Sequence, residues 1–153
     1  MSEKTVEIML QPIGILHTPF SMTEGMPIQS ARSELPGSAE VFPEYTEGLE
    51  GVEEFSHLYL LYRLHQCQAP DRLKVKPFLD DREHGVFATR YPCRPNRLGI
   101  SIVRVVSCAD GVLHFLGADM LDGTPLLDIK PYIPEFDVFE VQKSGWYEHR
   151  AFS

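Results

Sequence analysis

The stretch ISIVRVVSCADGVLHFL, residues 100–116, decides the fold class of this chain. Its first half is dense in β-branched residues (Ile100, Ile102, Val103, Val105, Val106), and its second half, from Val112 to Leu116, is again apolar and strand-like. Between them Asp110-Gly111 supplies the residue pair that a tight antiparallel hairpin asks for. Working outward, residues 57–64 place Leu58, Leu60, Tyr62 and Leu64 in alternation with His57, Tyr59, Leu61 and Arg63, the period of two of a strand. Residues 6–16 (VEIMLQPIGIL) read as a strand with a proline bend, and residues 38–42 (SAEVF) and 86–90 (VFATR) as two more. Leu49, Val52 and Phe55 are spaced by three and suit a short helical turn.

Twelve prolines and eleven glycines, spread along the chain, punctuate many short elements. Six or seven short strands with one or two helical turns predict a mainly β fold, a small barrel or a strongly curved sheet. Long amphipathic helices are missing and no G-x-G-x-x-G occurs, which disfavours a doubly wound nucleotide-binding fold. With 153 residues and 43% hydrophobic content, one domain spanning 1–153 is expected, large enough to bury roughly 70% of its unfolded surface. No apolar run approaches the ~18 residues of a membrane span, and the first ten residues carry charge where a signal peptide would be apolar, so the protein is expected to be cytoplasmic, with no membrane partner. Cys67, Cys93 and Cys108 stand far apart without a C-x-x-C pair and are expected to be buried thiols.

The net charge is −8, which by itself argues against nucleic acid. Its distribution is uneven. The first sixty residues hold ten acids against Lys4 and Arg32, whereas residues 90–108 hold Arg90, Arg94, Arg97 and Arg104 and no acid. A basic face on an acidic protein and arginines scattered over an ordinary surface both remain open.

Two segments carry the chemistry. DGTPLLDIKPYIP, residues 122–134, packs two carboxylates, a lysine, a tyrosine and three prolines into thirteen residues. Strand alternation would set Leu126, Asp128, Lys130 and Tyr132 on one side and Leu127 and Ile129 on the other. Its prolines cannot donate to a ladder, which predicts an edge strand or a barrel rim. The preceding Asp122-Gly123-Thr124-Pro125 is a turn whose backbone N–H and C=O groups suit a purine edge or a carboxylate; the plainer reading is an Asx-turn leading into an Asp128–Lys130 surface pair. The second segment, YPCRPNRLGIS (residues 91–101), is an arginine-bearing loop stiffened by Pro92 and Pro95, suited to gripping an anion or else a loop without a ligand. His57 and His65 would lie roughly 26 Å apart along one strand and so cannot share a metal; no metal is expected.

Taken together, Pro27-x-Gln29, FSHLYLL (residues 55–61) with His65-Gln66, GVFATR (85–90), RPN then LGIS (94–101) and DGTPLLDIKPYIP resemble the TsaA/TrmO family, in order and over nearly the whole chain. The resemblance implies a small single-sheeted β-barrel with short helical segments, an S-adenosylmethionine cofactor held near a homodimer interface, and methylation of N6 of threonylcarbamoyladenosine beside the anticodon of tRNA. It implies cofactor contacts from Gln29, Ser30, Ala31, His65, Gln66, Arg94, Asp122, Gly123, Thr124 and Pro125. Arg90, Arg97, Asp128, Lys130 and Tyr132 are the candidate substrate contacts, and Asp128, or a water it holds, is the candidate base; no catalytic residue is assigned. Where the family has RPNP this chain has Arg94-Pro95-Asn96-Arg97, which exchanges a stiff residue for a cation. A methyltransferase on a small anionic metabolite and a non-enzymatic S-adenosylmethionine-binding module are the alternatives. The apolar tail from Phe136 to Trp146 and Tyr147 suits a dimer interface better than a base-stacking surface.

Overall fold

The computed structural model describes residues 6–22, 26–27 and 33–153. Eight strands form: β1 (Gly14–His17), β2 (Pro36–Val41), β3 (His57–Arg63), β4 (Lys74–Val75), β5 (His84–Gly85), β6 (Leu98–Ala109), β7 (Val112–Leu116) and β8 (Thr124–Pro131). Six of them close an antiparallel barrel in the order β1-β2-β7-β6-β3-β8, and β4 pairs with β5 in a separate ribbon. One short helix, α1 (Pro134–Asp137), and several 3-10 turns complete the described residues.

The opening hairpin forms as its sequence requires. Asp110 and Gly111 take φ of 53° and 78° between β6 and β7, the pair of positive values that matches the twist of the flanking strands. β3 follows its alternation: Leu58, Leu60 and Tyr62 point inward and meet Leu16, Val103, Leu113, Phe115 and Leu126 in one core. Each such aliphatic side chain contributes about 1.5–3 kcal/mol when fully buried. The helical turn expected around residue 50 is two 3-10 segments, Pro43–Leu49 and Val52–Glu54, broken at Gly51.

Three expectations fail for identifiable reasons, and a fourth, edge strand or barrel rim for β8, loses its first alternative. The strand predicted over 6–16 is β1 alone, because ladder bonds begin only at Ile13, whose N–H donates to the Leu126 carbonyl. Pro12 before it has no N–H to give, and Val6, Ile8 and Met9 lie exposed. The strand expected over 86–90 is instead a 3-10 turn, Val86–Ala88, since the Thr89 N–H and hydroxyl both bond the Val86 carbonyl and close the chain on itself. Cys67 and Cys93 are not separate thiols: they form a disulfide with Cα atoms 5.7 Å apart, leaving Cys108 free. Finally, β8 is no edge strand; it pairs with β1 on one side and β3 on the other.

The parity of β8 also departs from simple alternation. Leu126 pairs with Tyr62 and Asp128 with the adjacent Leu61, so Leu127 is a bulge. One extra residue reverses every later side chain. Leu126 therefore points into the core together with Ile129, while Asp128 and Lys130 go outward.

Candidate functional site

The end of the barrel where β1 and β3 finish and β2 and β8 begin is closed by residues 117–123. Three hydroxyls pin this segment: Ser33 donates to the Ala118 carbonyl at 2.8 Å, Thr18 to Met120 at 2.7 Å and Thr124 to Leu121 at 2.6 Å. The predicted turn sits here, but its N–H groups face inward. Asp122 N–H donates to Phe20, Gly123 N–H to Leu16 and Thr124 N–H to Leu121. The turn instead presents a carboxylate. Asp122 Oδ1 accepts the Thr18 N–H at 3.0 Å and lies 3.7 Å from His17 Nδ1, with the side chain half exposed. No atom stands within 4 Å of where a Cβ would project from Gly123, so space is open beside it.

His65 joins the turn from just beyond β3: its Nδ1 is 3.5 Å from Thr124 Oγ1. The single Thr124 hydroxyl proton is committed to Leu121, so this long contact requires a proton on Nδ1, which leaves Nε2 as an acceptor. Burial lowers the His65 pKa, favouring that neutral ring. Gln66 follows directly, and Cys67 after it carries the disulfide to Cys93, next to Arg94. The structure thus brings His65, Gln66, Arg94 and Asp122 to Pro125 to one end of the barrel. Gln29, Ser30 and Ala31 lie outside the described residues.

The arginines of the stiff loop turn inward. Arg94 Nη1 donates to the Thr89 carbonyl at 2.7 Å and to Tyr91 at 3.3 Å. Arg97 donates to Asp71 at 2.7 Å and to the carbonyls of Cys67 and Ala69 at 2.9 and 3.1 Å. Positive φ at Asn96 and Arg97 folds the loop back to allow this. Arg97 therefore clamps the 67–71 loop, the segment that follows His65-Gln66.

The other candidate substrate contacts divide. Arg90 and Tyr132 line a groove of about 930 Å³ on the outer face of the barrel, with Tyr59, Phe87 and Trp146 among its walls. Trp146 is held there by stacking on His84, with ring centroids 5.0 Å apart, and by its Nε1–H bond to Ala88. Lys130 is exposed and 3.6 Å from Asp128, a surface pair worth at most about 1 kcal/mol. Asp128 lines a different cavity, with Ile13, Val41, Leu49 and Leu58, toward the opposite end of the barrel. It is not brought together with the Asp122 turn.

One cluster at the site was not foreseen. Tyr62 OH lies 2.7 Å from Ser101 Oγ, which donates to Asp119 Oδ1 at 2.5 Å; the three residues are 4%, 2% and 7% exposed. Ser101 has one proton and gives it to the carboxylate, so Tyr62 must be the donor to Ser101. The Tyr62 ring lies over Gly99, where a Cβ would come within 2.3 Å of it. Burial, and next the Asp119 charge, raise the Tyr62 pKa, so the phenol stays protonated. The available sequence signal was small: Tyr62 and Ser101 fall on inward positions of β3 and β6, where polar groups need partners.

A half-exposed carboxylate, a neutral imidazole acceptor and an open turn meet in one place, with the buried Asp119 carboxylate on the same closing segment. Such acceptors suit a positively charged group. Among the described residues no group of three or more His, Cys, Asp or Glu could hold a metal, and no helix is long and apolar enough to cross a membrane.

Residues 15–138 match the model of the tRNA-methyltransferase O N-terminal domain. A Pyrococcus abyssi protein named "Probable S-adenosyl-L-methionine-binding protein" is 51% identical over 92% of this chain and 77% of its own length. The human tRNA (adenine(37)-N6)-methyltransferase is 36% identical over 88% of this chain, but the match covers 32% of the human protein. The crystal structure of TrmO from Pseudomonas aeruginosa superposes with a TM-score of 0.76 at 36% identity, covering 92% of this chain and 62% of that one. The chain thus spans less than two thirds of that solved relative. On the residues matched and on the shared barrel, the chain belongs to the tRNA-methyltransferase O N-terminal domain family.

Proposed function

We propose that this protein is an S-adenosylmethionine-dependent tRNA methyltransferase acting on N6 of adenosine 37, with the threonylcarbamoyl form of that base as acceptor. The observation that carries the reading is the meeting of the Asp122 carboxylate, His65 and Thr124 at the mouth of a barrel whose family and named relatives bind this cofactor or methylate this position. When bound, the cofactor supplies an electrophilic methyl on a positively charged sulfur. Asp122 and His65 hold the cationic nucleoside, and Gln66 and Pro125 complete its cradle; the family resemblance adds Gln29, Ser30 and Ala31 as further contacts. Arg94 braces the loop beside them. Arg90 and Tyr132, in the outer groove, hold the tRNA around the reacting base, and Lys130 adds positive charge along its path. Transfer needs the acceptor nitrogen about 3 Å from the methyl and in line with the bond that breaks, so rigid positioning supplies most of the rate.

A homodimer belongs to the same reading: Phe136, Val138, Phe139 and Val141 are all at least 60% exposed, and a second copy would cover them. The test is methyl transfer from labelled S-adenosylmethionine to tRNA with and without the threonylcarbamoyl group. Incorporation only into the modified tRNA is expected, and incorporation into neither overturns the assignment. The metabolite alternative drew on the net charge and on Arg97; of these, the Arg97 guanidinium is bonded within the fold.

A further inference from the structure

Acylation makes the exocyclic nitrogen of the proposed acceptor a poor nucleophile and a better acid, so transfer calls for a base. Asp128, the residue with the right chemistry in the sequence, faces the other end of the barrel. We infer that Asp119 is the proton acceptor of the site and that Ser101 and Tyr62 are positioning residues that aim its carboxylate. This rests on the methyl-transfer reading above and adds the group that removes the proton.

The geometry is of a held base. Asp119 sits three residues before Asp122 on the pinned segment that closes the barrel mouth. Asp122 turns outward while Asp119 turns in, where Ser101 fixes Oδ1 and Tyr62 fixes Ser101. All protons in the chain point toward the carboxylate, which stabilises its charged form in a buried place. Tyr62 is the last inward residue of β3 and pairs with Leu126, two residues from Thr124, so the chain abuts the cradle from below. Charged and titratable groups near it among the described residues include Tyr62 on β3, Arg90, whose charge acts on the Tyr62 phenol, His65 beside Thr124, and Asp122 with His17 on the outer side.

The step balances. The nitrogen lone pair forms the new N–C bond, the pair of the C–S bond returns to sulfur, and the N–H proton passes to Asp119. A cationic sulfur and an anionic carboxylate both end neutral. The two opposite charges are removed together, so neither is left unpaired beside the buried Asp119.

The experiment compares wild type with Asp119→Asn, Ser101→Ala and Tyr62→Phe, measuring kcat against pH on threonylcarbamoyl tRNA and S-adenosylmethionine binding by calorimetry. Asp119→Asn is expected to lower kcat by about 100-fold or more and to abolish the acid limb of the profile. Ser101→Ala and Tyr62→Phe are expected to move that limb to higher pH, because a carboxylate losing a donor is easier to protonate, while binding stays within about threefold. Wild-type profiles in all three variants overturn the inference. If the wild type methylates nothing, the function proposed above fails, and the apo protein still tests the chain by ultraviolet phenol titration. Asp119→Asn must then shift one tyrosine, absent in Tyr62→Phe, to lower pH; an unchanged titration overturns the chain.

Discussion

Breaking the Cys67–Cys93 bond tests whether the site depends on a covalent staple. The bond closes a loop across a sequence separation of 26 residues and joins the segment carrying His65-Gln66 to the one carrying Arg94. In the chain-entropy treatment the closure removes about 2.1 + 1.5R ln 26, or roughly 12 cal/mol/K, from the unfolded ensemble, worth about 3.5 kcal/mol at 25 °C. For a domain of this size such a loss lowers Tm by roughly 10 °C. The folded loops keep other ties, since Arg97 still bonds Cys67, Ala69 and Asp71, and Arg72 N–H still bonds Cys93. Reduction should therefore leave a folded barrel with a looser His65-Gln66 segment. Calorimetric melts with and without a phosphine reductant, beside a Cys67→Ser/Cys93→Ser variant, read the shift. Thiol titration of the unfolded protein should count one thiol, Cys108, before reduction and three after. Three thiols in the untreated protein, or a Tm indifferent to both reduction and substitution, would refute the reasoning.

Other outcomes follow from the same contacts. Arg97→Ala removes three hydrogen bonds that hold the 67–71 loop and should weaken S-adenosylmethionine binding several-fold while moving the global Tm little; a change in the salt dependence of tRNA binding with cofactor affinity intact would assign it to phosphate instead. Asp122→Ala should cost about 1–3 kcal/mol in cofactor binding, measured by calorimetry, and unchanged affinity would remove the turn from the site. Asp80 is held near a pKa of about 2, well below its ordinary value, first by its 2.6 Å bond to His84, with Ala151 N–H and Arg82 adding to it. A depressed carboxylate stabilises the fold above its unfolded pKa, and that contribution is lost as pH falls from about 4 to about 2. Trp146 fluorescence should change in that window as the C-terminal segment leaves, and Asp80→Asn should remove the acid transition. Gly99→Ala should displace the Tyr62 ring and cost about 1–3 kcal/mol in denaturant melts; a neutral result would contradict the packing described.

Much of the barrel is written locally. The Asp110-Gly111 hairpin and the inward run Leu58, Leu60, Tyr62 need only neighbours a few residues away, because turn chemistry and side-chain parity act at short range. The family motifs grouped Asp122 and His65 in one expected site, and the fold sets Thr124 beside His65. What failed depended on distant partners. The run over 6–16 had strand composition but no strand to pair with before Ile13. The bulge at Leu127 is decided by how β8 must match β3, and it alone reversed the facing of Asp128.

The chain's local sequence determined that it would be a β-barrel with a polar turn at its rim, since alternation and turn residues are properties of contiguous chain. Only the tertiary structure decided which charges meet. It joined Cys67 to Cys93, turned Arg97 onto the 67–71 loop, and set Asp119 against Ser101 and Tyr62, residues 18 and 57 positions away in the chain. Contacts at such separations arise from closing the sheet on itself, an event that no single segment encodes.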